Sequence, residues 1–377
     1  MRTTFDAVVL GIGGIGSAAL YRLARRGLRV LGVDRYEPPH DRGSSHGETR
    51  IIRKAYFEHP DYVPLAEAAL AEWNELGRAT RQNLHRTTGL LELGPPAGVV
   101  VPGVLQAARQ HGLQVEQPTA AEAARRWPGF VADGLAVVYE PDAGVLFVER
   151  CVAAHLAAAQ AAGAQVLPGV EAFGWRCGKS LTLTTAAGEF QTERLIVAAG
   201  AWSGALLAEL GVPLTPRRQM VTWHDAAPAL HADAGCPCFL FELPSGVLYG
   251  FPDLGDGLKV GDHAPGAVVD DPGRLDRELH PGDREPLSAF LRERLPGATP
   301  APLRHSACMY TMSPDEHFVL DRHPADKRIV LAAGLSGHGF KFAPVLGEAL
   351  ADLAIEGASR LPIDFLSLAR FGSSESP

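Results

Sequence analysis

The run Gly11-Ile-Gly13-Gly14-Ile-Gly16 constrains the fold of this chain more than any other feature. It follows an apolar run at 5–10 and leads into apolar and small residues at helical spacing over 15–26, closed by Gly27. A second apolar run, 30–33, ends at Asp34. Strand, glycine-rich turn, helix, strand and terminal acid, in that order, spell the β-α-β unit of a dinucleotide-binding fold. The first glycine allows the tight turn, the second lets a pyrophosphate approach the backbone, and the third lets the helix pack closely on the strand. The helix N-terminus offers free N–H groups and the positive end of its dipole to phosphates. Asp34, eighteen residues after Gly16, can accept hydrogen bonds from a ribose and disfavours a 2′-phosphate. On this unit alone FAD and NAD remain equal, and NADP is disfavoured.

The 377 residues exceed one small domain and suit two intertwined ones. Hydrophobic residues at 46% and charged residues at 21% are ordinary for a globular chain, so disorder is expected only in the tail, 372–377. A net charge of −8 without a long basic run argues against a nucleic-acid partner. No run of about eighteen apolar residues exists, so no transmembrane helix and no membrane partner are expected. The start, residues 1–6, lacks the basic region and apolar core of a signal peptide, which makes the cytoplasm the expected location. Five scattered cysteines (151, 177, 236, 238 and 308) do not read as a disulfide framework. Cys236-Pro-Cys238 has no second pair and no flanking histidine at ligand spacing, so no metal site is expected.

Helices are expected over 65–76, 120–126, 148–162, 284–294 and 344–356, a strand over 165–170, and buried strands over 195–199 and 329–333. A hairpin is expected over 172–184, while 86–140 reads as short strands with the single helix at 120–126. The α/β pieces are thus split in three, with β-rich inserts between them. The expected fold class is α/β: a discontinuous Rossmann-type dinucleotide-binding domain (1–85, 145–216 and 320–371) with a β-rich α+β substrate domain (86–144 and 217–319).

Two further features bear on the cofactor. Leu195-Ile-Val-Ala-Ala-Gly-Ala-Trp202 reads as a buried strand ending in a small-residue turn. Gly43-Ser-Ser-His-Gly-Glu-Thr-Arg50 is too polar for core, and its Ser, Thr and Arg side chains can reach phosphate or the edge of a flavin ring. With four longer strings these pieces resemble the monomeric sarcosine oxidase and N-methyltryptophan oxidase family of flavoproteins. The strings are Asp34 to His40 running on to Ser44–Arg53, Tyr249-Gly-Phe-Pro252 with Leu258-Lys259 and His263, Cys308-Met-Tyr-Thr-Met-Ser-Pro-Asp-Glu-His317, and Ser336-Gly-His-Gly-Phe-Lys341. The resemblance covers nearly the whole chain.

The resemblance implies FAD, held by an 8α-thioether to Cys308, and an oxidase of secondary amines acting on CH–NH bonds with O2 as acceptor. Its substrate is a small secondary amine; for sarcosine the products are glycine, formaldehyde and hydrogen peroxide. N-methyl-L-tryptophan oxidase, or a proline or pipecolate oxidase or dehydrogenase, is the alternative. Arg53 and Lys341 are implied to grip the substrate carboxylate, with Tyr310 lining the same space. Lys259 is implied to promote oxygen activation beside the flavin, Arg50 to add to its field, and His263 and Tyr249 to line the substrate cavity. Residues expected at the cofactor are Gly11, Gly13, Gly16, Asp34, Ser44, His46, Thr49, Arg50, Val170, Gly200, Cys308, Met309, Gly337, Gly339 and Lys341. A monomer is expected. No residue is assigned as the base for the amine proton. The stretch 217–238 and Asp262 do not follow the family's strings, which leaves the size of the substrate open.

Overall fold

The structure, a computed structural model, describes residues 3–264 and 266–372. Beyond Gly372, the expected tail lies outside the described residues. The architecture is mixed α/β. One layer is a six-stranded sheet in the order Val319–Arg322, Ile329–Ala333, Leu195–Val197, Ala7–Leu10, Val30–Val33 and Gln165–Leu167. Every pair in it is parallel except 319–322 with 329–333. Parallel strands covered on both faces need continuous apolar runs, and Ala-Val-Val-Leu and Val-Leu-Gly-Val supply them, every residue buried.

Between the strands Ala7–Leu10 and Val30–Val33 runs the helix Gly14–Arg25. Ile15, Leu20 and Leu23 put its apolar stripe into the main core, each contributing about 1.5–3 kcal/mol of burial. It packs against the helices Val148–Ala161 and Ala343–Ile355. Gly16 is the contact point with the preceding turn: a Cβ there would stand 1.8 Å from the Gly11 carbonyl oxygen.

The other layer is a seven-stranded sheet in the order Ala298–Met312, Thr215–Ala226, Leu258–Asp262, Gly246–Phe251, Cys238–Leu243, Leu90–Gly94 and Ala136–Glu140. Only 238–243 with 90–94 is parallel. Phe239, Phe241, Leu258 and Val260 pack under Leu287, Phe290 and Leu291 of the helix Pro281–Arg294. Leu240 and Lys259 alternate with these residues and so point to the opposite face. A three-stranded sheet (Thr49–Ile52, Gly144–Phe147, His85–Thr87) carries Arg50, and a four-stranded one contains Ala172–Cys177, Leu181–Thr185 and Gly188–Thr192.

The structure departs from the sequence reading in several places. Residues 86–140 hold a second helix, Val100–His111, which the pair Pro102-Gly103 disguises as a turn. A proline in the first helical turn lacks only an N–H that has no intrahelical partner. Gly103 is where the chain at Phe57 crosses, with its carbonyl oxygen 2.9 Å from where a Cβ would be. The helix expected at 65–76 spans Val63–Thr80, and the one at 284–294 begins at Pro281 behind a reciprocal His280–Asp283 cap. The hairpin gains a third strand, Gly188–Thr192, while the strands expected to reach 170 and 199 stop at Leu167 and Val197. Among the described residues no helix is long and apolar enough to cross a membrane, and no metal-ligating cluster occurs. All five cysteines are free.

Candidate active site

The C-terminal ends of the central parallel strands open on a cavity of about 460 Å³, where ligands bind in open α/β sheets. Gly11, Gly13, Asp34, Ser44, Arg50 and Val170 line it, as do Gly200, Met309, Gly337 and Gly339. Gly16, His46, Thr49 and Cys308 are not among its lining residues, and Lys341, also expected at the cofactor, lines the smaller cavity beside it instead. Gly13 faces open space, the nearest atom to a Cβ there being Ser45 Oγ at 3.7 Å. Ser45, which the sequence reading passed over, accepts the Gly14 N–H at 3.0 Å and so orders the first turn of the helix. The Asp34 carboxylate accepts the Ile12 N–H at 2.9 Å and the Tyr36 N–H at 3.0 Å, with His40 Nε2 at 3.3 Å. That holds it at the rim where a ribose would lie. The indole N–H of Trp202 lies at the wall, buried and without an acceptor. A buried donor left unpaired is costly, so it marks a place for a ligand acceptor. Glycine cradle, helix N-terminus, acid and orphan indole together fit FAD.

A second cavity, about 70 Å³ against about 460 Å³, adjoins the first, and Arg50, Tyr310, Gly337 and Phe340 line both. Arg53 is only 4% exposed there. Its guanidinium donates to the Ala55 carbonyl at 3.0 Å and to both oxygens of Glu58 at 2.6 Å each. It stacks over the Tyr56 and Phe57 rings at 4.1 and 4.5 Å. Buried Glu140 accepts the N–H groups of Lys54 at 2.7 Å and Ala55 at 3.0 Å, which fixes the segment that carries Arg53. Burial alone would raise the Glu58 pKa, but Arg53, with His338 and Lys341, overrides it and brings it to about 2. Glu58 is a site residue that the sequence reading missed; a lone acid five residues after an arginine carries no motif.

Lys341 is also buried. Burial, then the charge of Arg53, brings its pKa down to about 7, with Glu58 opposing. Its Nζ donates to the Tyr56 hydroxyl at 3.1 Å and the His338 carbonyl at 2.9 Å. An ammonium has three donors, so one is left for a ligand. Tyr56 in turn meets His338 Nδ1 at 2.7 Å, and His338 Nε2 meets the Glu316 carbonyl at 3.1 Å. Since Nε2 must donate to a carbonyl, Nδ1 accepts, and the Tyr56 oxygen is left facing Lys341.

Burial lowers the His263 pKa to about 4, so the ring is neutral near pH 7 and serves as a hydrogen-bonding group. It sits edge-on to Tyr310 at 5.7 Å and Tyr249 at 6.2 Å. Asp262 accepts the Ala264 N–H at 2.8 Å, a local turn that sets the chain just after His263. Gly337 makes room for Tyr310, whose ring lies 2.5 Å from where a Cβ would be.

Lys259, 2% exposed, lines neither cavity and lies behind Arg50. Its Nζ donates to the Gly47 carbonyl at 2.6 Å and to the Thr49 carbonyl and hydroxyl at 3.1 Å each. Burial, then Arg50, pushes its pKa well below that of a free lysine. Arg50 donates to the Thr49 carbonyl at 2.8 Å and the Ser44 carbonyl at 2.9 Å, and Ser44 donates to the Met309 carbonyl at 2.6 Å. Cys308 is buried just before Met309; burial raises its thiol pKa while Arg50, Lys259 and Arg277 oppose. His46 is buried with Nε2 unpartnered, and burial, then Arg50 and Arg277, lowers its pKa to about 3.

A dinucleotide cavity abutting a small cationic and aromatic one is the arrangement of a flavin oxidoreductase of amino acids, and the chain belongs to the FAD dependent oxidoreductase family, which it matches over residues 6–353. FAD is accordingly its cofactor. A monomeric sarcosine oxidase of Bacillus sp. (strain B-0618) is 41% identical to it, across 100% of this chain and 98% of the relative. An N-methyl-L-tryptophan oxidase of Yersinia pestis (strain Pestoides F) is 38% identical, across 97% and 99%. Of solved structures, NikD, an unusual amino acid oxidase essential for nikkomycin biosynthesis, superposes with a TM-score of 0.85 at 25% identity, covering 97% of this chain and 98% of that one.

Proposed function

We propose that this chain oxidises a small secondary N-methyl amino acid, with sarcosine the substrate that fits best. The observation that carries this reading is the small cavity: Arg53 and Lys341 on one side, aromatic walls elsewhere, and about 70 Å³ of room beside the cofactor cavity. A guanidinium meets a carboxylate through two parallel hydrogen bonds, and a lysine adds a point charge. Phe57, Leu240 and Phe251 line this space, and its volume favours a small N-methyl amino acid over one with an indole side chain.

FAD bound in the larger cavity supplies the two-electron acceptor. The remaining work falls to the chain. Arg53 and Lys341 bind the carboxylate and aim the amine carbon towards the wall that the two cavities share, which is catalysis by positioning. Arg53 is free to do so only once Glu58 yields it. Neutral His263 and the Tyr249 and Tyr310 hydroxyls, 3.5 Å apart, border the amine without adding charge. The substrate leaves as an imine, which water hydrolyses to glycine and formaldehyde, while O2 takes up the electrons and two protons as hydrogen peroxide. Arg50, and Lys259 when it carries its proton, set positive charge beside this space, which favours negative charge developing as oxygen is reduced.

The same reading makes Cys308 the covalent tether of FAD. Its support is a buried thiol one residue from the cavity wall, where Arg50, Lys259 and Arg277 oppose the rise that burial gives its pKa. It also makes the protein a monomer, in line with its monomeric sarcosine oxidase relatives. The division into an FAD-binding domain (1–85, 145–216, 320–371) and a substrate domain (86–144, 217–319) is supported by the two large sheets, which draw almost wholly on one set each.

Purified enzyme offered sarcosine, N-methyl-L-tryptophan, L-proline and L-pipecolate, with peroxide release and anaerobic bleaching followed, tests this. Sarcosine should give the highest kcat/KM. Preference for N-methyl-L-tryptophan would refute the argument from cavity size, and bleaching without peroxide would make the protein a dehydrogenase.

A further inference from the structure

The chain holds five lysines among its 35 basic residues, and two of the five, Lys259 and Lys341, are buried at the site. The surroundings of Lys259 contain a device that amine oxidation does not itself require. At Glu48 the backbone turns with φ at 71°, and the Thr49 N–H donates back to the Gly47 carbonyl at 2.8 Å. This is a γ-turn with a non-glycine residue in the left-handed region, a strained conformation that persists only where its surroundings over-determine it.

Two sets of contacts do so. On the outer side, the Glu48 carboxylate pairs with Arg304 at 2.6 Å and accepts the Trp223 indole N–H at 3.1 Å. Its backbone N–H donates to Glu149 at 3.1 Å, and its carbonyl accepts the Val148 N–H at 2.9 Å. On the inner side, Gly47 and Thr49 present three oxygens to Lys259 Nζ, matching the three donors of an ammonium. The strand pairing aligns the parts. Arg304 stands opposite Trp223, Trp223 opposite Lys259, and Lys259 opposite Phe251, one row across four strands. The Arg304 guanidinium lies 3.9 Å from the Trp223 ring centre, and Lys259 Nζ lies 5.2 Å from Trp223 and 4.7 Å from Phe251.

We propose that Glu48 is a positioning residue for Lys259: its tie to Arg304 and Trp223 holds the turn 47–49 as a three-oxygen clamp around the lysine ammonium. The inference rests on the reading of Lys259 as the fixed positive charge used in oxygen reduction, and adds what keeps that charge in place. Of the groups facing Lys259, Arg50 and His46 come from the same segment, Glu149 from the helix Val148–Ala161, Cys308 from the strand Ala298–Met312 and Cys238 from the strand Cys238–Leu243. Burial and Arg50 favour loss of the proton, while Cys308, then Glu48 and Glu149, and the clamp oxygens favour its retention.

The test uses FAD-loaded protein labelled with 13C at lysine Cε, in which five signals are expected and Lys259→Met identifies one. Glu48→Gln keeps the strained turn and removes the charge; Glu48→Gly relieves the strain and removes the carboxylate. Both should move the Lys259 titration midpoint down by about one pH unit, a tenfold change in the proton equilibrium, and both should slow reoxidation of the photoreduced enzyme by O2. A Lys259 midpoint unmoved in both variants overturns the proposal. If Lys259→Met reoxidises as fast as the parent, the oxygen role falls, and the midpoint shift alone still decides the clamp.

Discussion

Replacing Glu58 by glutamine is the sharpest test of the substrate cavity. In the structure Glu58 holds Arg53 through two 2.6 Å contacts, so an incoming carboxylate must displace it. A hydrogen bond to a charged group is worth about 1.5–3 kcal/mol, so removing this competitor should tighten carboxylate binding roughly 10- to 150-fold. The same change leaves a buried guanidinium without its counter-charge, at a cost to the fold of about 3–5 kcal/mol. The two effects have opposite signs and are measured separately. Acetate, which carries the carboxylate and nothing to oxidise, can be titrated into FAD-loaded parent and Glu58→Gln protein through the flavin absorbance, and Tm followed with and without it. Glu58→Gln should have the lower Tm and the lower acetate Kd. Acetate at about a hundred times Kd should restore about 2.7 kcal/mol of the lost stability. Acetate binding that is unchanged or weaker would refute the reasoning, because Glu58 would then be a scaffold for Arg53 and not its placeholder. Arg53→Gln, which removes the contested group, should lose acetate binding in either background.

Three further outcomes are expected. With the Lys341 pKa at about 7, its proton is on below that pH and off above it, and an anion prefers the charged form; acetate affinity should fall as pH rises through 7, by at most about tenfold per unit, and Lys341→Met should flatten that slope. Lys259→Met should slow reoxidation by O2 far more than anaerobic reduction by sarcosine, as stopped-flow absorbance would show; equal losses in both would remove Lys259 from the oxygen step. Cys308→Ser should release its yellow colour on acid precipitation while the parent pellet stays yellow, and colour lost from the parent would rule out the covalent link.

Much of the nucleotide side was legible in the sequence because its signals are local. Continuous apolar runs and the spacing of Gly11, Gly13 and Gly16 specify strand, turn and helix within thirty residues. The residues that shape the substrate cavity are another matter. Glu58 matters because the chain folds back after Arg53, and Tyr56 because it meets His338, 282 residues away. Neither contact leaves a periodic trace. The helix Val100–His111 was hidden for a related reason: Pro102-Gly103 is a turn signal unless the helix begins there and Phe57 needs the space. Ser45 was covered by the polar cluster as a whole, which could not show that this hydroxyl, and not Ser44, faces the helix start.

Charge accounting ties the cavity to its substrate class. Arg50, Arg53 and Lys341 line it, against a single ionised acid, Glu58, held near a pKa of about 2. Two more carboxyls lie close by. Glu140 does not line the cavity: its oxygens accept two backbone N–H groups, and burial raises its pKa. Glu92 is fully buried on a strand, with neither oxygen partnered, and burial raises its pKa well above the usual carboxylate range, which disfavours its charged form. These groups leave the cavity short of negative charge by one unit where Lys341 is neutral and by two where it is protonated, below a pH of about 7. A monocarboxylate with an uncharged amine supplies that unit and presents an oxidisable carbon to the cofactor. A plain amine leaves the cations uncompensated in a low dielectric, where unpaired charge is most costly. A dicarboxylate brings a second charge into about 70 Å³ that offers no second guanidinium beyond Arg50, which backbone carbonyls already hold. The same accounting that selects an amino acid over an amine thus selects one with a small, uncharged substituent.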